Sequence, residues 1–253
     1  MLDLIRKRLQ LWKGKLLSYA GRLVLIRLVL ESSYIYWSSI YNLPQATIKS
    51  LESLFASFLW KGKESSRFLH PLSWAAVCLP KKEEGLGIRR IKEANSAGII
   101  KLIWKIVSKQ KSIWVDWIYS NLLRQDSIWS ASATSDSSWV WCKILDSRHL
   151  VLHSIRTQIG DGLSTYLWLD HWHPKGILIN MISPRTIYAS DLHRLSLVAD
   201  ILGPAGWSPP PTASQDLTLI WNDLATIPRK LSNRGDCVLW KASSSSSFSS
   251  NSA

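Results

Sequence analysis

A chain of 253 residues with 46% hydrophobic and 19% charged side chains is long enough to bury a real core and too apolar to be disordered. Fifteen tryptophans reinforce that exclusion, because disordered chains are poor in large aromatics. The net charge of +13 falls entirely within residues 1–111, which hold 20 Lys and Arg against 7 Asp and Glu, while the remainder holds 11 of each; a basic half on a neutral half points to a polyanionic partner.

The cysteines, Cys78, Cys142 and Cys237, are far apart and show no CxxC spacing. An odd, scattered set argues for reduced thiols and an intracellular location rather than a disulfide framework. No apolar run approaches the roughly 18–20 residues of a membrane span. The amphipathic start MLDLIRKRLQ, with its early Asp3, does not read as a signal or transit peptide.

Along the chain, Leu2, Leu9, Leu16, Leu23 and Leu30 recur every seven residues, with Ile5, Trp12, Tyr19 and Ile26 between them. Such a seam predicts helix with a narrow buried face. Ser18 is a good N-cap, so the seam splits into two helices near Leu17–Ser18, the second running toward Tyr41. Ala46–Trp60 reads as a third helix, ending at Lys61-Gly62-Lys63. A short apolar stretch, Leu72–Leu79, is broken by Pro80. Ala94–Gln110 carries Ile99, Leu102, Ile103 and Ile106 on one helical face. Trp114, Trp117 and Ile118 suit a short helix, and Trp139–Leu145 another. Ile155–Ile159 and Ser164–Leu169 are expected to form a hairpin across the Gly160-Asp161-Gly162 turn. Beyond Pro174 the signals weaken, and the end, ASSSSSFSSNSA, is of low complexity.

The stretch LPKKEEGLGIRR raises the possibility of a phosphate cradle, but Gly85 and Gly87 lack the G-x-x-x-x-G-K-[ST] spacing of a P-loop. A dinucleotide loop needs a third glycine and a preceding strand, and Pro80 interrupts any strand there. What is left is a turn ringed by Lys81, Lys82, Arg89 and Arg90, able to meet a phosphate backbone with point charges and forks. Asp170, His171 and His173 are metal-ligand types, but a polar strand end among aromatics is the simpler reading. Asp161 between glycines suits an Asx-type turn. Glu83-Glu84 fits charge neutralisation better than Mg²⁺ binding. The six histidines form no arrangement from which nucleophilic catalysis can be argued.

Three stretches, LLSYAGRLVLIRLVL, FLWKGKESSRFLHPLSWAAVCLPKKEEGLGIRRIKEANSAGIIKLIWKI and IGDGLSTYLWLDHWHPKG, together resemble the C-terminal portion of plant LINE-type (non-LTR) retrotransposon reverse transcriptases. The family pattern runs W-x-x-K-x-L-S-x-A-G-R, F-x-W, W-x-x-V-C-x-P-K-x-x-G-G-L-G-I-R with a later N-x-A, then G-D-G and W-x-D-x-W. It is matched in order from Trp12 to Trp172, over roughly residues 5–180. Glu84 departs from it, standing where the family usually has a glycine. The resemblance implies a helical thumb that grips template–primer duplex, followed by a connector toward a small zinc-binding module. It also implies that the polymerase carboxylates belong to an upstream palm, since this sequence has no adjacent Asp pair. A nuclear location is likewise an implication of the family.

These readings combine into a mainly α chain. Residues 1–111 form a basic thumb-like bundle, 112–175 a Trp-rich α+β connector with a short hairpin, and 176–253 a weakly structured Pro- and Ser-rich segment leading toward a missing zinc module. The expected function is non-catalytic binding of RNA or RNA–DNA duplex through backbone phosphates, without a cofactor, a metal or a membrane. The residues expected to carry it are Lys13, Lys15, Arg22 and Arg27 on the first helices, Lys61 and Lys63 at the third helix end, and Lys81, Lys82, Arg89 and Arg90 around the turn. The alternatives are an enzyme, either a polymerase completed by another chain or an unrecognised nuclease, a helical module pairing its seam with a partner, and a decayed reading frame.

Overall fold

The computed structural model describes residues 2–13, 17–38, 43–60, 72–203, 206–227, 235–241, 243 and 248–249, with the side chains of Lys13, Leu30 and Ile35 excepted. The fold is mainly α with short antiparallel strands, as the helical periodicity leads one to expect. It divides into two compact units, Met1–Ile99 and Ile100–Ala253.

In the first unit, helix α1 spans Leu2–Lys13, and the next helical run is α2 (Tyr19–Leu25), a π turn (Ile26–Leu30) and α3 (Glu31–Ser38). Ser18 caps α2 as its sequence position predicts, its hydroxyl accepting from Gly21 N at 3.2 Å. Helix α4 (Gln45–Trp60) starts one residue before the expected span. The seam residues Ile5, Leu9 and Ile26 enter a core completed by Ile48, Leu51, Phe55 and Leu59 of α4, so the narrow face packs within its own unit. Leu16 lies outside the described residues. Aromatic pairs link these helices: Trp12 with Phe58 at 6.1 Å and Tyr19 with Trp60 at 5.4 Å.

After α4, the short helix α5 (Trp74–Val77) is capped by Ser73 and leads into the turn around residues 78–90. Helix α6 (Ile91–Val107) begins and ends three residues before the span expected from periodicity. Its end is set by Lys109, which adopts a left-handed φ of 49°. Lys109 N then returns to Ile106 O (3.0 Å) and Gln110 N to Lys105 O (3.0 Å), the paired bonds of a Schellman stop made here without glycine.

The second unit contains α7 (Ile113–Ile118), α8 (Trp139–Ser147) and α9 (His149–Leu152), then strand β1 (Ile155–Gln158). The expected hairpin does not form across Gly160–Gly162. Strand β1 pairs instead with β4 (Cys237–Trp240), antiparallel, with Ile155 opposite Trp240 and Gln158 opposite Cys237. Ser164–Leu169 stays irregular, touching a ladder only at the Tyr166–Leu197 bridge. Among the described residues after Pro174 there is regular structure that the sequence did not signal. They include β2 (Leu202–Gly203) paired with β3 (Gly206–Trp207), and helices α10 (Pro184–Tyr188) and α11 (Gln215–Asp223). Leu178, Val198, Ile201, Leu217, Ile220 and Leu224 join Leu167, Trp168 and Leu169 in one core, so widely spaced apolar residues do what a periodic run would do elsewhere.

Candidate nucleic-acid interface

The turn at residues 78–90 is built by backbone hydrogen bonds rather than by a ligand. Leu86 N donates to Val77 O at 2.9 Å, Gly87 N to Leu79 O at 2.8 Å, and Gly85 N to Pro80 O at 3.1 Å. Gly85 lies flat on Leu79: a Cβ there would sit 2.0 Å from the Leu79 carbonyl oxygen. Gly87 has φ +64°, a left-handed conformation that glycine enters without the Cβ clash. Both glycines are therefore explained by the turn itself, in agreement with the failure of the cradle spacing.

Glu84 takes the same left-handed region, at φ 62°. It is the residue that departs from glycine in the LINE-type pattern, and it bears the steric cost a glycine would avoid. Glu84→Gly is expected to raise stability by about 0.5–1 kcal/mol, the relieved strain being partly offset by the looser unfolded chain. Urea unfolding measures this directly, and a lowered midpoint would contradict it.

Around this scaffold the structure brings together five of the expected cations. Arg27, on the π turn, places a guanidinium nitrogen 3.5 Å from where a Gly87 Cβ would lie, and Lys81 Cγ comes within 3.6 Å of that same point. Lys81, Lys82, Arg89 and Arg90 are all exposed. Lys81 and Lys82 make no ion pair among the described residues, whereas Arg90 pairs with Glu93 at 3.2 Å. Glu31 is half-buried beneath the cluster and accepts from Arg89 N at 3.2 Å. Burial raises its pKa, while the Arg89 hydrogen bond and the Arg89 and Arg27 charges pull it back. Tyr34 Oη donates to Arg89 O at 3.2 Å, fixing the same backbone from below. Arg22 is more committed: its Nη1 donates to Phe58 O at 3.5 Å. Lys15, Lys61 and Lys63, and the side chain of Lys13, lie outside the described residues.

In the second unit the Gly-Asp-Gly loop wraps a carboxylate. Asp236 accepts from Gly160 N (2.8 Å), Gly162 N (2.9 Å), Ser164 N (3.2 Å), Ser164 Oγ (3.1 Å) and Thr165 Oγ1 (2.7 Å). Successive N–H groups in such a loop form a concavity for an anion, and here the chain supplies its own. Asp161 makes the Asx-type turn expected of it, accepting from Leu163 N at 3.0 Å. No sequence signal pointed to Asp236, because its partners lie more than 70 positions away.

Asp170 is spent on Ser127 Oγ and Tyr166 N. It faces a cavity of about 220 Å³ shared with Lys109, Tyr119 and Asp236, whereas His171 and His173 line a different cavity. Among the described residues no group of three or more His, Cys, Asp or Glu is placed to hold a metal ion. Nor is any described helix long and apolar enough to cross a membrane. The Cys78 thiol is buried, and burial pushes its pKa up to about 12, so it is a poor nucleophile.

No protein-family model matches the chain. Over 176 residues, 68% of its length, it is 35% identical to an Arabidopsis thaliana protein named for ribonuclease H. Over 139 residues, 54% of its length, it is 27% identical to an uncharacterized mitochondrial protein of the same plant. The matched stretch spans 28% of the first relative and 90% of the second. The chain is thus similar to plant proteins, and to little more than a quarter of the one whose name carries an activity.

Proposed function

We propose that this chain is a retroelement-derived segment, of the reverse-transcriptase thumb and connector type, whose first unit grips the phosphate backbone of RNA or an RNA–DNA duplex. The observation that carries the reading is the convergence of Arg27, Lys81, Lys82, Arg89 and Arg90 on one tight turn, in the half of the sequence that holds all the excess charge. The motif residues support it from another side, because they act as joints. Ser18 caps a helix, Arg22 ties to Phe58 O, buried Asn95 accepts from Leu43 N at 3.0 Å, and Gly85 seats the turn. Asp170 and Asp236 are committed to hydrogen bonds, so in this reading the chain supplies grip and leaves the chemistry to a palm elsewhere. Phosphate contacts carry no base information, so sequence selectivity is low.

The test is fluorescence anisotropy of labelled RNA–DNA hybrid across a salt series, with the purified chain and with Lys81, Lys82, Arg89 and Arg90 all changed to Ala. With ~6–8 phosphate contacts the log–log slope lies at about −4 to −7, and the quadruple variant flattens it by about 3–4. Absence of binding at low salt, or an unchanged slope in the variant, would overturn the reading.

A further inference from the structure

The second unit contains a cavity of about 620 Å³ formed by the end of α9, β1, residues 171–174, Thr226–Ile227 and the end of β4. Its lining includes His153, Arg156, His171, His173 and Lys241 and, among the described residues, no acidic side chain. Ile155, Trp172, Ile227 and Leu239 add apolar walls. We infer that this cavity is a binding site for a phosphate-bearing, nucleotide-sized ligand, with the phosphate held by Arg156 and Lys241 and the flat apolar body against the walls.

Three observations carry this. First, the cations are uncompensated: neither Arg156 nor Lys241 has an ion-pair partner among the described residues. Asp223, the carboxylate that His173 feels, is held by Lys175 at 2.7 Å. Second, His171 Nδ1 is buried without a hydrogen-bond partner, which is costly unless a ligand or solvent meets it. Burial, and then the positive fields of Lys241 and His153, disfavour its charged form, so an entering anion meets a positive field and a neutral imidazole. Third, the walls of the site are cross-linked by hydrogen bonds and ring contact. Thr157 Oγ1 donates to His171 O at 2.8 Å, Lys241 N donates to Ser154 O at 2.8 Å, and Trp172 stacks on Trp207 with ring centres 5.7 Å apart. A volume in the range of small-molecule clefts, apolar walls and a few convergent polar groups is the ordinary anatomy of such a site. The site is independent of the first unit's basic turn.

The experiment is calorimetric titration of the full chain with AMP, adenosine, inorganic phosphate and a short 5′-phosphorylated oligothymidylate. AMP is expected to bind one to one, and adenosine and inorganic phosphate each at least about tenfold more weakly, since each lacks half of the recognised chemistry. Arg156→Gln and Lys241→Gln, both on exposed side chains, are each expected to weaken AMP binding by about tenfold or more. The variant lacking Lys81, Lys82, Arg89 and Arg90 is expected to bind AMP as the native chain does, which separates this site from the duplex grip. Comparison of AMP with the oligonucleotide, both titrated into the variant lacking Lys81, Lys82, Arg89 and Arg90, distinguishes a free nucleotide from a strand terminus, and tight binding of either that is weakened by Arg156→Gln and Lys241→Gln supports the site. Equal affinity for adenosine or for inorganic phosphate, AMP binding indifferent to Arg156→Gln and Lys241→Gln, or no binding of AMP or the oligonucleotide would overturn it.

Discussion

Asp236→Ala is expected to lower the unfolding free energy by about 3 kcal/mol, among the largest effects of any single change away from the core. The carboxylate gathers three backbone N–H groups and two hydroxyls from one short loop. Removing it strands those donors, and water reaches the exposed Ser164 more readily than the buried Gly162. Asp236→Asn keeps the shape and one acceptor oxygen but turns an amide N–H₂ donor toward donors, so an intermediate loss of about 1–2 kcal/mol is expected. Chemical denaturation of the three proteins measures this order, and an Ala variant as stable as the native chain would refute the cage.

The same group makes stability depend on pH. Burial acts to raise the Asp236 pKa, but the hydrogen bonds from Gly160, Thr165, Gly162 and Ser164 outweigh it and hold the carboxyl below its ordinary value. Its contribution is therefore present above the unfolded pKa of about 4, and is lost as pH falls through the lower folded value. Asp170 runs the other way: burial raises its pKa despite the Ser127 and Tyr166 hydrogen bonds, so its contribution is present below pH about 4 and fades as pH rises through the folded value. Asp236→Asn should accordingly flatten the acid limb of the native stability profile.

Gly85→Ala is expected to cost about 3–4 kcal/mol, more than a loop glycine ordinarily does. The added methyl meets the Leu79 oxygen, carbonyl carbon and Cα at 2.0, 2.4 and 2.6 Å. All three are backbone atoms, which no rotamer change relieves. Relief requires the turn to open, and opening breaks the Val77–Leu86 and Leu79–Gly87 bonds that space the four exposed cations. The variant should therefore unfold at lower denaturant and bind hybrid duplex more weakly even where it remains folded. A Gly85→Ala protein with native stability would show that the turn is looser than described.

Much of the helical scaffold is legible from the chain alone, for a local reason. The seam of Ile5, Leu9 and Ile26, the Ser18 cap and the α4 span depend on residues within a few turns of one another, where period and capping are informative. The misplaced end of α6 belongs to the same level, because Lys109 in a left-handed conformation leaves no trace a glycine would have left. The hairpin failed for a different reason. Ile155–Gln158 has the alternation of a strand, but alternation does not name its partner, and the true partner follows long Pro- and Ser-containing stretches. The candidate interface divides likewise. Their spacing around the Gly-Leu-Gly turn singled out Lys81, Lys82, Arg89 and Arg90 as a group, whereas only the fold places Arg27 beside Gly87. Asp236 stood in a sequence context with no periodicity and no motif, so nothing local marked it.

The pairing of β1 with β4 has a consequence for synthesis on the ribosome. Ile155 meets Trp240, 85 positions further along. At roughly 5–20 residues per second, several seconds pass between emergence of the first strand and arrival of its mate. During that interval β1 has an open edge, and the Gly160–Thr165 loop lacks the carboxylate that later fills it. The nascent second unit thus keeps that open edge until β4 emerges, whereas the first unit, whose contacts close within 99 residues, is free to fold while the rest is still being made.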